Sequence, residues 1–127
     1  MLLLAELSPP AGRGPGSFHH DVLVALGGVP AVAEGKAFIT MDAEDVRRAA
    51  PDGVVIIAPR GRGVAPSTAG PEELLRSLGP LGGLDVPAFR SRRVALIDDP
   101  LTQLPATTGA RATAAALGAV LDGWSAR

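Results

Sequence analysis

The chain has no cysteine and no tyrosine, and it carries only one tryptophan and three phenylalanines. The missing thiols exclude disulfides, thiolate metal sites and cysteine nucleophiles, and they leave the redox compartment open. With aromatic residues at 3% there is little to stack against nucleic-acid bases. A net charge of −1, from 12 basic and 13 acidic residues, sets up no field that would gather nucleic acid or an anionic membrane. No nucleic-acid partner is therefore expected. The pair Arg47–Arg48 and the group Arg90, Arg92 and Arg93 read as solvated faces.

A long apolar run is also absent. The opening MLLLAELSPPAG holds a few apolar residues interrupted by Glu6, with no basic region ahead of them. It is expected to be a strand, and neither a signal peptide nor a membrane span. What is abundant is small and aliphatic. Hydrophobic residues make up 46% of the 127 residues and charged ones 20%, which suits one globular domain over residues 1–127.

Along the chain, Leu2 to Leu7 reads as a short buried strand ending at Ser8-Pro9-Pro10, followed by a glycine-rich loop, AGRGPGS. Ser17 suits the N-cap of a helix through Leu26, with Phe18, Val22 and Leu26 on one face and Gly27-Gly28 ending it. Lys36 to Thr40 reads as a short extended piece. Asp42 then caps a helix whose first turn carries Glu44 and Asp45, and Pro51 stops it. The β-branched run VVIIAP predicts a strand buried on both faces of a parallel sheet. After the loop RGRGVAPSTAGP, Pro71 opens a helix through about Leu78, and Gly79 to Pro87 forms a further connection. Arg93 to Asp98 gives the last strand, and Thr108 or Gly109 opens a final alanine-rich helix to about Asp122. This alternation predicts an α/β fold with three layers, an open and mostly parallel sheet carrying helices on both faces.

The chemical motifs are sparse. Glycines 12, 14 and 16 lie where a phosphate loop would, yet the spacing is not G-x-G-x-x-G and no Lys-Ser/Thr pair follows. None of the six serines sits in G-x-S-x-G, so no catalytic triad is visible. His19 and His20 are adjacent, point about 100° apart on a helix and cannot grip one metal together. Either is a capping or surface histidine, or a ligand for haem iron in an open cleft. Asp98-Asp99 follow the last strand, where sites of open α/β sheets gather, and a turn-capping role is the alternative.

A family resemblance rests on the segment MDAEDVRRAAPDGVVIIAPRG. It resembles a signature in the C-terminal lobe of the periplasmic binding proteins for vitamin B12, haem and ferric siderophores. GPGSFHHDVLVALGGVPAV is similar to that family's helix ending in Gly-Gly, with Pro30 where Asn is usual, and FRSRRVALID and TGARATAAALGAVL are similar to its closing strand and helix. The resemblance implies a single lobe of a bilobal binding protein that serves an ABC importer of cobalamin, haem or iron-siderophore ligands outside the cytoplasm. It is a transport role, not an enzyme's, and implies no resident cofactor. The N-terminal lobe would be supplied upstream of Met1 or by another chain.

The same resemblance implies that Glu44 pairs with arginines of the importer permease, although at that position it also complements the helix dipole. Ligand contacts are expected from Gly14 to Phe18 (with Gly14, Ser17 and Phe18 as candidates), Phe38 to Met41, Arg60 to Arg62, and Asp99 to Leu104. Phe38 suits a ligand or the core, and Arg60 and Arg62 suit a ligand carboxylate or water. Two other classes stay open: a stand-alone flavodoxin-like or nucleotide-handling domain, and an interaction module without a transport role.

Overall fold

The computed structural model describes residues 1–7, 10–14, 17–31, 38–58, 70–103 and 106–125. In chain order the elements are β1 (Leu2–Leu7), β2 (Pro10–Arg13), α1 (Phe18–Ala25), β3 (Phe38–Thr40), α2 (Ala43–Ala49), β4 (Val54–Ile57), α3 (Pro71–Ser77), α4 (Pro87–Arg90), β5 (Val94–Ile97) and α5 (Ala106–Ser125). Short 3-10 turns span Gly79–Gly83 and Pro100–Gln103.

The strands form one sheet in the order β3-β2-β1-β4-β5. Its centre is the parallel ladder β1-β4-β5, in which Leu3 pairs with Val55 and Val55 with Ala95. β2 runs against both β1 and β3, so β3 shares the direction of β1.

Burial explains the layers. Along β1 and β4, alternate side chains enter two different cores, as the pleat of a strand requires. Leu2, Leu4, Val54 and Ile56 pack with Val46 of α2, Leu74 of α3 and Phe89 of α4. Leu3, Val55 and Ile57 pack with Leu23 of α1 and with Leu117 and Trp124 of α5. Both faces of the ladder are thus covered, and a β-branched run without polar alternation is what such a strand needs.

Three expectations change. The glycine-rich AGRGPGS is not wholly a loop: Pro10–Arg13 pairs antiparallel with β1, with Leu4 opposite Gly12 and a register irregularity between Leu4 and Glu6. Proline is tolerated there because it is the first residue of the strand. At Gly12 a Cβ would sit 3.0 Å from the Met41 sulfur, a tight contact that the thioether would have to relieve by moving.

The inward face of α1 also differs. Leu26 is 41% exposed, whereas Leu23 and His19, four residues apart, are essentially fully buried. Lastly, the connection from Gly79 to Pro87 holds a 3-10 turn, and Pro87 opens the short helix α4.

The helix ends follow their capping chemistry. At α2 the amide of Asp45 donates to Asp42 and the amide of Asp42 donates to Asp45, a reciprocal capping box. Pro71 occupies the first turn of α3. α5 runs from Ala106 to Ser125, longer at both ends than the sequence suggests, and at its C-terminal end Trp124 packs over Gly53 beside β4. A Cβ on Gly53 would lie 2.4 Å from the tryptophan ring, so only glycine admits that contact.

Candidate binding groove

The helices α1 and α5 give the sheet two chemically distinct ends. α1 finishes at the amino end of the ladder, where Ala31 donates to the Met1 carbonyl and the Met1 ammonium donates to Val29 at 2.6 Å. Its start lies at the carboxyl end, beside the segment that follows β5. Sites in open α/β sheets collect at the carboxyl ends of the parallel strands.

There Asp98 and Asp99 leave β5 and lead into the 3-10 turn at Pro100–Gln103. The Asp99 carboxylate accepts from the Leu101 amide at 3.0 Å, and its carbonyl accepts from the Thr102 amide and hydroxyl, the latter at 2.7 Å. Asp99 thus caps the turn, the role that competed with a site role in the sequence. It also lines an open groove of about 620 Å³ between the turn and α5, together with Leu101, Thr108, Arg111, Ala112, Ala115 and Ala116. The alanines make a smooth floor, Leu101 is half-exposed, and Arg111 offers an exposed guanidinium to the same space.

Arg111 is the member of this site that the sequence reading misses, since one arginine on an alanine-rich helix looks like a solvated charge. Its signal is spacing: Thr108, Arg111, Ala112 and Ala115 fall three and four residues apart and share one helix face.

Behind the turn, His19 of α1 and Thr102 are buried polar residues in contact. Ser17, His19, Thr102 and Thr113 are the buried polar side chains among the described residues, and they sit on α1, the turn and α5. The Nε2–H of His19 donates to the Thr102 carbonyl at 2.9 Å across 83 residues of sequence. His19 is therefore neither a capping nor a surface residue. At 1% exposure, with Nε2 engaged, it stands as a strut between elements. His20 is half-buried, and its Nδ1 makes no hydrogen bond among the described residues. No three His, Asp or Glu side chains among the described residues gather closely enough to hold a metal ion.

The other candidates lie as follows. Ser17 caps α1 by accepting from the His20 amide at 3.1 Å, and the carbonyl of buried Gly14 accepts from the Ser17 amide. Phe18 begins α1 and Phe38 begins β3 opposite Arg13; the side chains of both phenylalanines lie outside the described residues, as do Arg60 and Arg62 altogether. Glu44 stands in the first turn of α2, exposed, with Arg47 donating to it at 2.7 Å. Because α2 packs on the face of the sheet opposite α1 and α5, Glu44 belongs to a different surface from the groove.

At the amino end of the ladder, a smaller hollow of about 270 Å³ is lined by Met1, Gly28, Val29, Asp52, Arg93 and Trp124 among others. Its charges face one another, with the Met1 ammonium 3.1 Å from Asp52. Partial desolvation pushes the Asp52 carboxyl up. The hydrogen bond and charge of the terminal ammonium, a backbone hydrogen bond and the charge of Arg93 outweigh it, so the net shift is below the ordinary carboxylate range.

No protein-family model and no curated protein matches the chain. Solved structures match it along nearly its whole length. The periplasmic heme-binding protein RhuT from Roseiflexus sp. RS-1, in its apo form, is 27% identical with a TM-score of 0.63, over 95% of this chain and 45% of its own. The periplasmic heme-binding protein BhuT in complex with two hemes is 25% identical with a TM-score of 0.67, over 96% of this chain and 43% of its own. The periplasmic vitamin B12 binding protein BtuF of Vibrio cholerae shares the fold at 14% identity and a TM-score of 0.66, over 99% of this chain and 45% of its own.

These likenesses define the class: the chain has the α/β fold of a single lobe of a periplasmic solute-binding protein. It spans less than half the length of these solved structures, 43 to 45% of each. Among the described residues no helix is long and apolar enough to cross a membrane.

Proposed function

We propose that the chain is the C-terminal lobe of the substrate-binding component of an ABC importer for cobalamin, haem or a ferric siderophore, acting outside the cytoplasm. The role is binding and delivery, not catalysis. The observation that carries this reading is the groove at the carboxyl ends of the parallel strands. It is open to one side, with about 620 Å³ of space above its floor. The alanine floor and Leu101 suit the apolar face of a large planar or macrocyclic ligand, and Arg111 suits an anionic group on its edge.

An open groove on one lobe covers one side of a ligand, and a second lobe would close the other side by hinge motion. The lone lobe is therefore expected to bind weakly. Titrating the chain with haemin, cyanocobalamin and a ferric hydroxamate, followed by absorbance, tests this. Saturable uptake of one of them supports the reading, and no uptake of any removes it.

Glu44 is the residue we assign to permease docking. It is exposed, and its ion pair with Arg47 is of the solvated kind that contributes little and exchanges readily for another arginine. In a complete importer, Glu44→Arg is expected to abolish coupled uptake while leaving probe titration intact; unchanged uptake takes Glu44 out of the contact. A nucleotide-handling domain has less support, because β2, which holds Gly12, stands between β1 and α1.

A further inference from the structure

His19 is a polar residue on the inward face of α1, at a position where the helix buries an aliphatic side chain one turn later, at Leu23. A histidine placed there requires a partner, and its Nε2 reaches one on a segment 83 residues away. We propose that His19 is the positioning residue of the groove: through the Thr102 carbonyl, its Nε2–H fixes the turn that carries Asp99 and Leu101 into the groove wall. The inference rests on the binding role given above for that groove.

The turn at Pro100–Gln103 is a single 3-10 segment of four residues. Bonds from the turn converge on Asp99, whose carboxylate takes the Leu101 amide and whose carbonyl takes the Thr102 amide and hydroxyl. Those bonds give the turn its shape, but they do not set where it sits over α1 and α5. A carbonyl near the end of a helical turn has no partner within the turn, and that of Thr102 is inside the protein, since Thr102 is fully buried. The donor from α1 satisfies this carbonyl and anchors the turn to the body of the fold. Leu101, the neighbouring residue, is then left projecting outward, 47% exposed, on the groove side. One residue of the turn thus faces the strut and the next faces the site.

The bond also assigns the tautomer. A backbone carbonyl only accepts, so the neutral ring carries its proton on Nε2.

The test compares His19→Leu, which removes the donor, with His19→Gln, whose amide nitrogen extends to nearly the position of Nε2. Amide hydrogen exchange is read at Asp99, Leu101, Thr102 and Gln103, with the core strand β4 as the internal reference. The expected result is that His19→Leu speeds exchange of the Leu101 and Thr102 amides about tenfold or more relative to β4, and that His19→Gln restores most of the protection. Haemin and cyanocobalamin titrations should follow the same order, with the weaker binding in the leucine variant.

A merely space-filling His19 would give equal acceleration in β4 and the turn, or no rescue by glutamine, and either result overturns the proposal. The tautomer is read on the unmodified chain by ring-nitrogen chemical shifts, which keeps the test decisive if the leucine variant does not fold. A proton on Nδ1 with Nε2 bare contradicts the assignment. A chain that takes up none of haemin, cyanocobalamin and a ferric hydroxamate refutes the binding role of the groove, whereas the hold of His19 on the turn stands or falls on exchange and tautomer alone.

Discussion

The two ends of the parallel ladder are built from the same strands and helices, yet they are finished differently. At the amino end, Trp124 lies over Gly53 at near contact, and the Met1 ammonium meets both a carbonyl and Asp52. At the carboxyl end a polar group is buried below, and above it an arginine and a leucine stand exposed beside an alanine floor. The first arrangement places its large side chain where it gains most from packing and sets its charges against each other. The second leaves apolar area and a guanidinium uncovered, which contributes little to the stability of a lone lobe and is available to a ligand. The packed end and the proposed binding groove thus fall at opposite ends of one sheet.

That contrast can be broken in graded ways. Removing the tryptophan at the packed end should have the largest effect: Trp124→Ala is expected to cost about 3–5 kcal/mol of unfolding free energy by chemical denaturation. A loss below about 1 kcal/mol would mean that the amino end is not where α5 is anchored. Gly53→Ala pushes a methyl group into the same ring and should cost about 1–3 kcal/mol through overpacking. At the open end the pattern should invert. Arg111→Ala is expected to leave the denaturation midpoint within about 0.5 kcal/mol of the parent, while weakening uptake of an anionic probe such as haemin about tenfold. Equal affinity in parent and variant would separate Arg111 from the ligand.

The smallest effect concerns Asp52. Its folded carboxyl titrates below the ordinary range, so its contribution is present above about pH 4 and is lost as pH falls through the folded value. The side chain is largely exposed, which limits that contribution to about 1 kcal/mol or less. Denaturation of Asp52→Asn against the parent should show this gap at neutral pH and close it in strong acid. A gap that widens toward acid would reverse the assigned sign.

Much of this contrast can be read from the sequence, for identifiable reasons. The run Val54–Ile57 declares a strand buried on both faces because it has no polar alternation, and the caps Asp42 and Ser17 declare their helices because the capping chemistry is local. β2 is hidden because Pro10 and Gly12 carry turn propensity, and only pairing with β1 and β3 makes them a strand. At the site, Asp99 is legible from its place after β5. Arg111 and His19 are not: the one acquires meaning from a groove formed with a separate turn, the other from a hydrogen bond to a residue 83 positions away. Local signals carry elements and caps, while a site assembled from distant segments emerges only when the fold brings them together.

The central claim is that the carboxyl-end groove is one half of a ligand site. Its most direct test is to add haemin or cyanocobalamin to the isotopically labelled chain and map which backbone amides shift or broaden. Saturable changes centred on Asp99, Leu101, Thr108 and Arg111, with the amides around Gly53 and Trp124 undisturbed, are the predicted result. Changes centred on the amino-end hollow, or none with these two probes or a ferric hydroxamate at saturating concentration, would contradict it.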